Sequence, residues 1–128
     1  MTAATQTTLL LVDDDAHFRE TMADAMSLKD AAVDGAATAA EALRLLEARR
    51  PAVILLDIQL PDANGVEFCR RLKRDPKTRG IPVVMLSAKY TEPADRAEGL
   101  LTGADAYLSK PINLDSLWDE ISYLIDKK

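Results

Sequence analysis

The sequence predicts an α/β fold: a doubly wound (βα)5 domain with a five-stranded parallel sheet and helices on both faces. Three observations predict it. The runs Leu9-Leu10-Leu11-Val12, Val53-Ile54-Leu55-Leu56 and Val83-Val84-Met85-Leu86 are apolar at every position. Strands covered on both faces, as in parallel sheets, carry that pattern. The segments between them hold apolar residues at helical spacing. Strand and helix alternate along the chain, which builds right-handed βαβ units.

Leu9–Val12 is the first strand. Phe18, Met22, Ala25 and Met26 then form the apolar stripe of a first helix. Ala32–Ala36 is a second strand, poor in large residues and therefore placed at a sheet edge. A Thr38/Glu41 capping box opens the second helix, whose stripe is Ala39, Ala42, Leu43 and Leu46. Val53–Leu56 is the third strand. Asn64, with Glu67 three residues on, leads a third helix with Phe68, Cys69 and Leu72 inward. Val83–Leu86 is the fourth strand. Pro93, tolerated in a helix's first turn, precedes a fourth helix through Ala97, Leu100 and Leu101. Ala104–Ser109 is a fifth strand at the other edge, with Tyr107 off the Ala106/Leu108 pattern. Leu114, Leu117, Trp118, Ile121, Leu124 and Ile125 mark the fifth helix. Residues 1–7 are expected to be a loose tail, and 8–128 a single domain.

Polar residues gather where the strands end. Val12 is followed by Asp13, Asp14 and Asp15, Leu56 by Asp57, and Leu86 by Ser87; the fifth strand ends at Ser109, before Lys110. In a parallel sheet these ends share one edge, the edge at which open α/β sheets bind ligands. With strands 1, 3, 4 and 5 as successive neighbours, Asp57 falls between the Asp13/Asp14 loop and Ser87, and Lys110 lies one strand further. Carboxylates so close repel; a pair at ~4 Å costs about 4 kcal/mol at an effective dielectric near 20. Lys110 offsets one charge. A divalent ion offsets the rest, and an oxygen-only donor set favours Mg²⁺. A carboxylate beside Mg²⁺ and a lysine is equipped to attack phosphorus. Asp15 is read as a helix cap.

Composition narrows the alternatives. The 128 residues carry 16 Lys+Arg against 21 Asp+Glu, a formal charge of -5. A chain so charged has no general attraction to nucleic acid or to anionic membrane. Asp outnumbers Glu 14 to 7, although Glu is the better helix former, so the aspartates need a role. The single cysteine, Cys69, excludes an internal disulfide and a multi-cysteine zinc site. With no signal peptide and no long apolar stretch, the expected location is cytoplasmic.

Four stretches resemble the CheY-like receiver domain of two-component response regulators: residues 9–15 (LLLVDDD), 56–65 (LDIQLPDANG), 85–88 (MLSA) and 106–111 (AYLSKP). The likeness spans about Thr8 to Ile125. It implies the strand order 2-1-3-4-5 and a phosphorylation-activated signalling switch. Asp57 is then the phosphoacceptor. Asp13 and Asp14, with Asp57 and the Gln59 backbone carbonyl, hold Mg²⁺. Ser87 is the switch hydroxyl, and Lys110 the lysine that pairs with the phosphoryl group. Tyr107 is the aromatic that turns inward with Ser87, and the Lys110–Pro111 peptide is cis. Gln59 and Lys89 flank the path of attacking water and set the phosphoryl lifetime. The same likeness implies a sensor histidine kinase or histidine phosphotransfer protein as donor. The output goes to a downstream protein through the fourth helix, fifth strand and fifth helix, with no direct nucleic-acid contact and no membrane insertion. It implies no enzyme beyond self-phosphorylation and autodephosphorylation.

The competing possibility is a small haloacid-dehalogenase-type phosphatase, with its Asp-x-Asp at Asp13 and Asp15. His17 stands where that pattern needs Thr or Val, and the chain has no room for a cap. A flavodoxin would need a phosphate loop of small hydroxyl residues where this loop is acidic. A pseudo-receiver would lack one of Asp57, Lys110 or the acid pair. Among other residues, His17 is expected to be a solvated helix residue and Cys69 a buried thiol. The basic run Arg70, Arg71, Lys73, Arg74, Lys77 and Arg79 is expected to be a solvated face, Trp118 a core-margin residue and Tyr123 an exposed aromatic.

Overall fold

The three apolar runs form the centre of a five-stranded parallel sheet in this computed structural model, which describes residues 7–88 and 103–126. The strands are β1 (Thr7–Val12), β2 (Ala31–Ala36), β3 (Val53–Asp57), β4 (Val83–Ser87) and β5 (Ala106–Ser109). Their order is β2-β1-β3-β4-β5, with every pairing parallel. The two strands weakest in sequence, β2 and β5, are the edges, where only one neighbour constrains composition.

Side chains alternate through the sheet, so each continuous run feeds two cores. Leu10, Val12, Ile54, Leu56, Val83 and Met85 pack on one face with Phe68, Cys69 and Leu72. Leu9, Leu11, Val53, Leu55, Val84 and Leu86 pack on the other with Met22, Met26, Leu117 and Ile121. These side chains are at most 3% exposed, so each large one contributes on the order of 1.5–3 kcal/mol of burial. Tyr107 joins the first core, and its neighbours Ala106 and Leu108 join the second.

The helices α1 (Ala16–Ser27), α2 (Ala39–Ala48) and α3 (Gly65–Arg74) and the C-terminal helix (Leu114–Asp126) start at side-chain caps. Asp15 accepts from the Phe18 amide at 3.2 Å, as its reading as a cap requires. Thr38 accepts from the Glu41 amide at 3.0 Å, while the Glu41 carboxylate takes the Ala37 amide at 2.7 Å. Asn64 caps α3 through the Val66 amide at 2.8 Å. Asn113 caps the C-terminal helix through the Ser116 amide at 2.9 Å. Each cap satisfies donors that the helix itself cannot.

All five strands differ slightly from expectation: β1 begins at Thr7, inside the tail expected over residues 1–7, and β3 and β4 each run one residue further, to Asp57 and Ser87. β2 begins one residue earlier, at Ala31, and β5 begins at Ala106 rather than Ala104. Ahead of that expected run, Gly103 takes φ +102°, which glycine adopts without strain. The predicted fourth helix lies outside the described residues. Among the described residues no helix is long and apolar enough to cross a membrane.

Candidate functional site

The carboxyl ends of β1, β3, β4 and β5 converge on one sheet edge. Asp13 follows β1, and its amide donates to the Ala36 carbonyl of β2 at 2.9 Å, which extends the ladder by one residue. Its side chain is 1% exposed. One carboxylate oxygen accepts the Asp15 amide at 2.9 Å; the other receives the Lys110 ammonium at 2.7 Å. Asp57 closes β3 with its side chain 13% exposed. One of its oxygens accepts the Gln59 amide at 3.3 Å, and the other lies 4.0 Å from Lys110 Nζ. Asp14 is exposed at the rim. Each of Asp13, Asp14 and Asp57 offers a carboxylate oxygen within 4.8 Å of the others'.

The backbone holds this arrangement tightly. The Gly65 amide donates to the Ile58 carbonyl at 2.6 Å. A β-carbon at Gly65 would stand 2.6 Å from Ile58 Cα, closer than packing allows. The first turn of α3 can therefore press against the chain leaving Asp57 only because residue 65 has no side chain. On the other side, the Lys110 amide donates to the Ser87 carbonyl at 2.7 Å. That bond ties the lysine's backbone to the end of β4. The Lys110–Pro111 peptide is cis, as expected.

The electrostatics are unbalanced. Burial pushes the Asp57 carboxyl above its ordinary pKa, and the Asp13 carboxylate pushes the same way. Lys110 and the Gln59 amide oppose them, and Asp14 adds a smaller upward push. Three carboxylates face one lysine, so a further positive charge would relieve the repulsion. The donors are all hard oxygens, with no sulfur or imidazole in the cluster, which fits Mg²⁺ or Ca²⁺ rather than zinc.

Asp13, Asp14, Asp57 and Lys110 are thus brought together. Ser87 ends β4 one position beyond Leu86, the register partner of Asp57, and is buried. Tyr107 is buried on β5 opposite Met85. Gln59 is exposed, just past Asp57. Lys89 lies outside the described residues.

Sequence reasoning missed three neighbours. Phe18 belongs to the apolar stripe of the first helix, yet its ring sits 4.3 Å from Lys110 Nζ. Arg19 Nη1 donates to the Asp13 carbonyl at 2.6 Å. Asp62, in the loop between β3 and α3, accepts the Ala39 and Ala40 amides of α2 at 2.9 and 3.1 Å. The first two are one helical turn from Asp15, the only sequence signal that they face the acidic loop.

The remaining expectations divide. His17 and Tyr123 are exposed and Cys69 is buried. Trp118 packs, partly buried, against the second core. The basic run is not uniformly solvated. Lys73 donates to the Ile81 carbonyl at 2.7 Å and to Asp105 at 3.3 Å, so it braces the chain entering β4 against the chain entering β5 instead. Arg70 pairs with Glu67.

Residues 9–122 match the family model described as the response regulator receiver domain. Among curated proteins, the chain is 42% identical over 106 residues to the phosphate regulon transcriptional regulatory protein PhoB of Pseudomonas aeruginosa, covering 83% of this chain and 46% of that protein. It is 41% identical over 110 residues to response regulator Rre1 of Synechocystis, covering 85% and 47%. The chain therefore spans about half the length of these relatives. Among solved structures, a response regulator receiver domain protein (CheY-like) from Methanospirillum hungatei superposes with TM-score 0.86 at 29% identity, covering 96% of each chain. Chemotaxis response regulator CheY4 of Vibrio cholerae superposes with TM-score 0.85 at 28% identity, covering 94% of this chain and 99% of that one.

Proposed function

The chain belongs to the response regulator receiver domain family, and from that premise we propose that Asp57 accepts a phosphoryl group and so drives a two-state signalling switch. One observation carries this reading. The Asp57 carboxylate ends a buried strand within reach of Lys110 and of two further carboxylates, one of them buried. The matching family and this cluster give the phosphatase alternative no support.

An Asp57 oxygen attacks the phosphorus of a phosphohistidine on a sensor kinase or phosphotransfer protein. The new O–P bond forms as the P–N bond breaks, and the electron pair leaves with the imidazole nitrogen. No general base is needed, because the nucleophile is an ionised carboxylate. Lys110 pairs with one phosphoryl oxygen, and the Ser87 hydroxyl donates to another. Mg²⁺ would be held by Asp13, Asp14, Asp57 and the Gln59 carbonyl. When bound it neutralises charge on the transferring group.

The added charge favours one of two packings already available to the domain. In the favoured one, Ser87 moves toward the phosphoryl group and Tyr107 occupies the inward position. The output surface includes β5 and the C-terminal helix, on which Tyr123 is exposed for a protein partner; the expected fourth helix, its third part, lies outside the described residues. Gln59, exposed just past Asp57, and Lys89, outside the described residues, are assigned to tuning the phosphoryl lifetime; exchanging both residues without altering the dephosphorylation rate would overturn that assignment.

The central test is incubation with Mg²⁺ and acetyl phosphate, followed by mass spectrometry. The expected result is one phosphoryl group, on Asp57. No adduct, or an adduct that survives Asp57→Ala, defeats the proposal, as does sustained turnover of a phosphomonoester.

A further inference from the structure

Lysine carries its charge on a flexible four-carbon stem, so holding the ammonium at one point costs rotamer entropy. Around Lys110, the carboxylate of Asp13 is 2.7 Å from Nζ and that of Asp57 is 4.0 Å away. A third contact is the Phe18 ring, its centroid 4.3 Å from Nζ. The ring is itself fixed. It stands in the first turn of α1, where the Phe18 amide is held by the Asp15 cap at 3.2 Å, and it packs against the second core. The lysine side chain is left 19% exposed.

We propose that Phe18 is a positioning residue for phosphoryl transfer, holding the Lys110 ammonium beside Asp57 through the face of its ring. This rests on the assignment of Asp57 as phosphoacceptor. The ring face carries negative quadrupole density and attracts the cation. It takes no classical hydrogen bond, so it holds the ammonium without engaging a donor as a carboxylate or hydroxyl would. One N–H is directed to Asp13, and the others remain for an incoming phosphoryl oxygen. The ring also keeps water from that side, which strengthens the attraction between the ammonium and the developing charge on the phosphoryl group. An aliphatic side chain would fill the same space without the attraction.

The test separates attraction from packing. Phe18 is replaced with mono-, di- and trifluorinated phenylalanines, which weaken the ring quadrupole stepwise at nearly constant shape, and with Tyr, Trp and Leu. The rate of phosphorylation by acetyl phosphate at saturating Mg²⁺ is measured beside the thermal midpoint. The rate is expected to fall steadily with fluorination while the midpoint stays constant. Leu is expected to lose about fivefold, the order of one cation–π contact, and Tyr and Trp to retain the rate. Equal rates across the fluorinated series overturn the inference, even if Leu is slow, because packing alone then explains Leu. Proton NMR gives a readout independent of phosphorylation. The Lys110 ε-methylene protons should lie upfield under the ring and return to their ordinary position in Phe18→Leu. If the wild-type protein takes up no phosphoryl group, the Asp57 assignment fails. If the upfield shift is absent, the ring contact fails.

Discussion

Asp57 has the most conflicted surroundings of any residue in the site. Burial and Asp13 disfavour its charge, while Lys110 and the Gln59 amide favour it, and the balance leaves its pKa raised. A carboxyl held above its unfolded value keeps its proton longer in the folded state. As pH rises through that interval the unfolded chain releases the proton first, and the fold loses stability. Above both values the loss is complete. Asp57→Asn removes the charge and keeps the shape. In the absence of divalent cations it should melt a few degrees above wild type at neutral pH, and the difference should vanish in acid below both pKa values. Melting curves across pH test this, and an unchanged or lower midpoint at neutral pH would refute it. Asp57, Asp13 and Lys110 were legible in sequence because each ends or directly follows a strand. Phe18 was not, because an aromatic at helical spacing satisfies the core pattern equally well.

At the scale of elements, Asp62 ties the loop between β3 and α3 to the start of α2, which the chain order separates by a strand. It leaves the loop that follows β3 and accepts the Ala39 and Ala40 amides at the start of α2. Those amides hold its carboxyl below the ordinary pKa range. The group's stabilising contribution is therefore present above the ordinary carboxylate pKa and is lost as pH falls through the depressed value. Asp62→Ala should lower the midpoint at neutral pH and speed amide exchange at Ala39 and Ala40. Asp62→Asn should recover part of the loss, and wild type and Ala variant should converge in strong acid. Hydrogen exchange read residue by residue decides it; unchanged protection at both amides would exclude a capping role. The local caps at Thr38 and Asn64 could be read from spacing alone. A cap arriving from 23 residues away leaves no local pattern.

At the scale of the molecule, the sheet is a plate between two buried cores, with the acidic cluster at one edge. A divalent cation that binds this cluster binds only the folded chain, so it stabilises the whole domain by mass action. Millimolar Mg²⁺ should raise the unfolding midpoint by several degrees, and Asp57→Ala or Asp13→Asn should remove most of that rise. Calorimetry with and without the ion measures it; an equal rise in the variants would place the binding elsewhere. The strand positions to within a residue or two, the starts of α1, α2 and α3 and the residues at the strand ends were legible in the chain, because they depend on neighbours a few residues apart. Lys73 shows the limit. In sequence it belongs to a basic run, but the fold turns it onto Ile81 and Asp105. The site shows the same limit more sharply, since Lys110 reaches Asp13 across 97 residues. Which cation pairs with which carboxylate, which ring covers the lysine and which loop caps α2 were decided by tertiary structure. Contacts between residues so far apart follow from how the sheet and helices pack, and local periodicity carries no record of them.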